Sequence, residues 1–215
     1  MANQVLAHQT NFSLALGGPL YQLYLRMRLA RPPLELVPRR IIVICLICWA
    51  PLFFLALAAG QVTGGVSVPF LTNIGVHTRF LVALPLLIGA EPFVHERMKA
   101  IAEQFLARRL IRSEDRAQFE AIVGSATRLR NSTVAELSIL MLAFAMGYWA
   151  WKGNVALGLS SWYAVNDRGS SRLTAAGVWY AFVSLPILRL MLLRWYFRLF
   201  IWYRFLWQLR SLPLN

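Results

Sequence analysis

The chain has 215 residues, 58% of them hydrophobic and 14% charged, with mean hydropathy +0.54 and a net charge of +13. A soluble domain carries about a quarter charged residues, so this balance excludes an ordinary water-soluble domain. The basic residues flank long apolar runs, which excludes nucleic acid as the reason for the charge and points to membrane edges lined by anionic headgroups.

The N-terminal 40 residues contain no run long enough to cross a bilayer, which takes about 20 apolar residues. Gly17-Gly18-Pro19 reads as a turn into a short helix carrying Leu20, Leu23, Tyr24 and Met27 at helical spacing. With Arg26, Arg28 and Arg31 beside them, these residues suit a helix lying on anionic lipid, ended by Arg31-Pro32-Pro33.

The first expected span is 41–60, preceded by Arg39 and Arg40 and kinked at Pro51. Its apolar run is too long, and too far from the N-terminus, for a typical signal peptide. Cys45 and Cys48 lie inside it at redox-pair spacing. A thiol in apolar surroundings is poorly ionised and no second pair completes a zinc site, so both are read as packing residues.

The second expected span, 75–94, is built on a short uncharged core, Phe80 to Ala90, and admits His77, Arg79 and Glu91 near its ends. A re-entrant segment is the alternative. Residues 95–133 follow as a cytoplasmic helical hairpin. Met98, Ile101, Ala102, Phe105 and Leu106 form one apolar stripe, and Phe119, Ile122, Val123, Ala126 and Leu129 another. The stripes are expected to pack on each other, with Ser113 ahead of Glu114 and Asp115 starting the second helix.

The third span is 134–151, closed by Lys152, and the fourth 175–193. The helical pattern of the fourth continues to Leu209 with Arg194, Arg198 and Arg204 among aromatics, a length of about 52 Å. Its end, in the basic aromatic segment 194–215, should therefore leave the membrane or lie along it.

The expected fold class is thus all-α, a polytopic bundle of four spans covering 41–215. Basic residues set its orientation. Residues 1–40 carry five, the loop 95–133 eight and the tail four, against three in residues 152–174 plus Arg79. The positive-inside tendency places both termini and the hairpin in the cytoplasm of a bacterial-type inner membrane, and it needs the second segment to cross.

No chemistry-bearing motif is complete. His95-Glu96 begins the zinc-protease pattern, but Lys99 stands where the second His belongs. Glu91, His95, Lys99 and Glu103 share one helical face, as an ion-pair ladder or, alternatively, a relay. Asn131-Ser132-Thr133 is a chance sequon on the cytoplasmic side. The spacing of Arg189, Arg194, Arg198 and Arg204 does not make a voltage-sensor stripe. One polar cluster remains as a candidate site, namely Arg79, Glu91, His95, Glu136, Arg189 and Arg194, whose carboxylates and guanidinium groups should pair near the membrane edge.

Several stretches carry a resemblance. They are Ala50-Pro51-Leu52, the run from Arg79 to Leu87, Glu91, Arg128-Leu129-Arg130-Asn131-Ser132, and Arg194-Trp195-Tyr196-Phe197-Arg198 onward to Leu212. In these the chain resembles a family of uncharacterised bacterial multi-pass inner-membrane proteins. The resemblance implies a membrane bundle without a catalytic motif. Similar proteins continue past the position of Asn215, so the chain looks like a shortened relative.

The expectation is a non-enzymatic subunit or scaffold of a larger membrane complex, with no catalytic residue, metal or cofactor. Its partners would be anionic lipids and other membrane subunits or a second copy, and not nucleic acid. Ala143/Gly147 and Gly177/Ala181 are small-residue pairs suited to close helix contacts. The alternative is an oligomeric ion or small-solute channel or transporter.

Overall fold

The computed structural model describes residues 19–27, 36–107, 116–155, 160–167 and 170–210. It is mostly helical. Helix α1 is Pro19–Arg26 and α2 is Val37–Ala58. Helix α3, Ile74–His77, runs through a π-helical segment, Thr78–Ala83, into α4, Leu84–Ala107. Helices α5, Arg116–Arg130, and α6, Thr133–Val155, follow. A hairpin of β1, Ala164–Asp167, and β2, Ser170–Leu173, pairs antiparallel with Asp167 opposite Ser170. Helix α7, Ala175–Trp179, then passes through a second π segment, Tyr180–Ser184, into α8, Leu185–Leu209.

Three helical stretches are long and apolar enough to cross a membrane: Val37–Ala58, Ile74–Met98 and Ala175–Leu209. Ala121–Arg130 and Thr133–Trp149 meet that test together, with a bend of 43° between them. The expected helix stop at Arg31-Pro32-Pro33 and start at Ser113 lie outside the described residues.

The chain divides into two compact units. One comprises residues 1–36, 89–137 and 194–215, and the other 37–88 and 138–193. In the first, Phe119, Ile122 and Ala126 of α5 form a buried core with Ile201, Phe205 and Leu209 of α8. Of the first expected loop stripe, Met98 packs against this core and Ile101 is exposed, while the side chains of Ala102, Phe105 and Leu106 lie outside the described residues. Phe119 of α5 meets Phe205 of α8 edge to face at 6.3 Å.

In the second unit, α2 is apolar all round yet buries only one stripe, Arg40, Ile44, Cys45, Cys48, Leu52 and Ala56. Ile42, Leu46, Phe54 and Leu57 point outward. Such a helix suits lipid on its outer face. Both cysteines are buried free thiols. The helix ends at Gly60, whose φ of +68° is easy only for glycine. There Gly60 N–H donates to Leu57 O at 3.0 Å and Gln61 N–H to Ala56 O at 2.9 Å, the paired bonds of a Schellman stop.

Side chains fix the other helix starts. Asn73 Oδ1 accepts from Val76 N–H for α3, Ser132 Oγ from Ala135 N–H for α6, and Thr174 Oγ1 from Gly177 N–H for α7. The sequon serine is thus a helix cap. Thr174 also donates to Trp162 O at 2.7 Å, tying the cap to the loop before β1. Gly177 is obligatory here, because a Cβ would sit 1.8 Å from the Tyr163 carbonyl oxygen.

Both π segments end at Leu-Pro. Val82-Ala83-Leu84-Pro85-Leu86-Leu87 matches Val183-Ser184-Leu185-Pro186-Ile187-Leu188. Leu84 N–H donates to Arg79 O and Leu185 N–H to Tyr180 O, each one residue further back than an α-helical bond. The next residue in each case is a proline with no N–H to continue the tighter ladder. Arg79 and Tyr180 therefore occupy equivalent places in two similar wide turns.

Candidate functional site

Prolines inside the helices determine where side chains must reach. Pro51 cannot donate to Ile47 O, and its ring disturbs the turn that contains Cys48 O. Trp179 Nε1–H donates to Ile47 O at 3.1 Å, and Ser184 Oγ–H donates to Cys48 O at 2.7 Å. The carbonyl that Pro51 leaves without a donor, and the one next to it, thus each accept a bond from the segment that leads into α8. Pro92 leaves Ile88 O without its usual donor. The buried Arg40 guanidinium approaches that oxygen at 3.5 Å. Arg40, expected as a membrane-edge anchor, therefore lies within the helix and inside the protein.

At the loop end of α2, Trp49 Nε1–H donates to His77 Nδ1 at 3.0 Å. An indole nitrogen only donates, so Nδ1 is the acceptor and the ring proton lies on Nε2. That proton is shared with Phe70 O at 3.2 Å. Phe70 packs edge-on against both His77 and Trp162, at 5.2 and 5.1 Å between centroids. Both imidazole nitrogens are therefore committed to structure.

The six residues expected as one polar cluster fall into two groups. Glu91, Glu136 and Arg194 belong to the first unit, Arg79 and Arg189 to the second. His95 lies on α4, and its side chain is outside the described residues.

In the first unit, Glu91 Oε1 is 2.8 Å from Arg198 Nη1, and Glu136 Oε1 is 3.7 Å from Arg194 Nη2. Glu91, Arg194, Arg198 and Tyr24 are all buried. Arg194 stands in the field of Arg198, Glu91, Tyr24 and Glu136. The group balances two carboxylates against two guanidinium cations, which is how charge is tolerated away from water. Arg198 was not among the expected residues. Positions 194 and 198 are one turn apart and share a face, while 189 is turned about 140° from 194. Spacing therefore carried a signal for Arg198 that depth alone did not.

In the second unit, Arg79 Nη1–H donates to Tyr180 Oη at 2.7 Å, joining the first residues of the two wide turns. Tyr180 packs edge-on against Phe80 at 6.1 Å and Trp162 at 5.3 Å. Arg189 lies within the electrostatic reach of both Tyr180 and Arg79. Its Nη1 is buried, with no hydrogen-bond partner among the described residues. Gly147 of α6 makes room for it, since a Cβ there would lie 2.7 Å from Nη1. Segments 37–88 and 138–193 contain a single acidic residue, Asp167, against seven basic ones. No group of three or more metal-ligating side chains occurs among the described residues. No protein-family model, curated protein or solved structure matches this chain.

Proposed function

We propose that the chain is a non-enzymatic integral membrane protein that acts as a subunit or scaffold of a larger membrane complex. In this reading it crosses a bacterial inner membrane four times, with both termini and the segment 95–133 in the cytoplasm, and it is related to the inner-membrane family it resembles.

One observation carries the reading. Helix α6 is almost wholly apolar between Leu137 and Trp149, yet only Ala143 in that stretch is buried. Met141, Phe144, Met146, Tyr148 and Trp149 all point outward. A helix so thinly attached to its own chain leaves most of its circumference for neighbours in the membrane. The buried charges of the first unit meanwhile pair with each other, as expected of a fixed structural element. A photo-crosslinker at Met141 or Trp149 should give one discrete protein adduct in intact membranes, identifiable by mass spectrometry. Lipid adducts alone at both positions would overturn the scaffold reading.

The alternative, an oligomeric channel or transporter, draws on the uncompensated Arg79 and Arg189. It requires specific flux in liposomes, with a selectivity that Glu91→Gln changes while assembly persists. The scaffold reading requires no such flux from the wild type.

A further inference from the structure

Arg79, Tyr180 and Arg189 present hydrogen-bond donors and no acceptor left over. An arginine donates and cannot accept, so the Arg79–Tyr180 bond uses the phenol oxygen as acceptor. The phenol proton is then free to be donated, and no hydrogen bond among the described residues uses it. Arg79 is exposed and keeps further N–H groups, while Arg189, within electrostatic reach of Arg79 and Tyr180, has a buried Nη1 beside Gly147 with no hydrogen-bond partner among the described residues. Two guanidinium cations near each other in apolar surroundings repel, and no ion pair to a carboxylate is seen for either among the described residues. Both wide turns place their first residue at this point, and such irregular turns recur at functional sites.

We propose that Arg79, Arg189 and Tyr180 form a binding site for a phosphate-class oxyanion where the two π segments meet. The anion bridges the two guanidinium groups and accepts the Tyr180 hydroxyl proton. A planar guanidinium is the side chain best suited to paired bonds with such oxygens. The ligand is either the phosphate of an anionic lipid headgroup or a free anion from solution. The site is independent of whether the chain is a scaffold or a solute pathway.

The test uses the purified full chain. Radiolabelled inorganic phosphate is titrated in neutral detergent, and phosphatidylglycerol is titrated against phosphatidylcholine by native mass spectrometry. The wild type should retain one of the two anionic probes at one site. Retention of phosphatidylglycerol alone assigns the headgroup, and retention of phosphate assigns a solute anion. Arg79→Gln and Arg189→Gln should each weaken that probe about tenfold, and Tyr180→Phe should weaken it severalfold. Arg172→Gln, on the exposed β2 strand, should leave it unchanged.

Gly147→Ala is the sharpest variant. It keeps every charge but forces the Arg189 guanidinium from its place, so it should also weaken binding severalfold. Arg79→Lys, which keeps the charge and loses the fork, should weaken it likewise if a neutral variant does not fold. The proposal is overturned if the wild type retains neither probe. It is also overturned if Gly147→Ala and Arg79→Lys bind as well as wild type, or if Arg172→Gln weakens binding as much as Arg189→Gln does.

Discussion

Glu91 and Arg198 meet at 2.8 Å with both side chains about nine-tenths removed from solvent. Removing one member takes the nearest counter-charge from the other, and breaking a buried pair costs about 3 kcal/mol. Glu91→Gln and Arg198→Gln should therefore each lower stability by that order. The double variant should lose less than the sum of the two, because its remaining groups are neutral and can hydrogen-bond. Thermal unfolding in mild detergent checks this, and strictly additive losses would mean that the pair does not act as a pair. Arg189 and Arg79 behave differently at this scale. No carboxylate pairs with either among the described residues, so their neutralisation should be read in ligand binding first.

Helices α2 and α8 are joined through a backbone defect. Pro51 withdraws one hydrogen bond from α2, and the segment from Trp179 to Ser184 supplies two donors where the ladder is open. Ser184→Ala and Trp179→Phe should each cost about 1 kcal/mol, the net worth of an intramolecular hydrogen bond. Pro51→Ala restores an N–H that can satisfy Ile47 O. On that background Trp179→Phe should become nearly neutral. The double-mutant cycle measures the difference, and an undiminished cost would show that Trp179 acts through packing alone. The two π segments belong to this scale too. Each ends where a proline interrupts the ladder, so a Leu-Pro pair in an apolar run marks the wide turn, and the residue five before the leucine marks its start.

For the whole chain, three helical stretches are long and apolar enough to cross, and the proposed four-span arrangement takes α6 as its further crossing. Reporter fusions after Arg116 and Asn215 should read cytoplasmic, and fusions near Gly64 and Asp167 should read external. Protection of Arg116 on the outer side would remove the arrangement, because the basic loop 95–133 would then lie outside. The proposed orientation rests on the charge counts.

Length and apolarity determined much of the helical layout from the sequence alone. The run behind 41–60 became Val37–Ala58, and the long pattern from Ala175 to Leu209 is continuous in the structure. Backbone groups in an apolar environment must be satisfied within their own segment, so a long enough apolar run has little choice but helix. The first helix begins earlier than expected because Arg40 finds an acceptor in Ile88 O and can be buried. The hairpin of β1 and β2 escaped because two four-residue strands give too short an alternation.

Pairing was decided only in three dimensions. Glu91 chose Arg198 because that residue shares a face with Arg194, whereas reckoning depth along the span pointed to Arg189 or Arg194. Arg189 turned instead toward Tyr180 and the space left by Gly147. Tyr180, Trp179 and Ser184 carried no isolated signal, since each acquires its role only when another helix brings a guanidinium or an open carbonyl to it. Burial of apolar surface depends on composition and can be read along the chain. A hydrogen bond or ion pair depends on direction, and only the packed helices fix that direction.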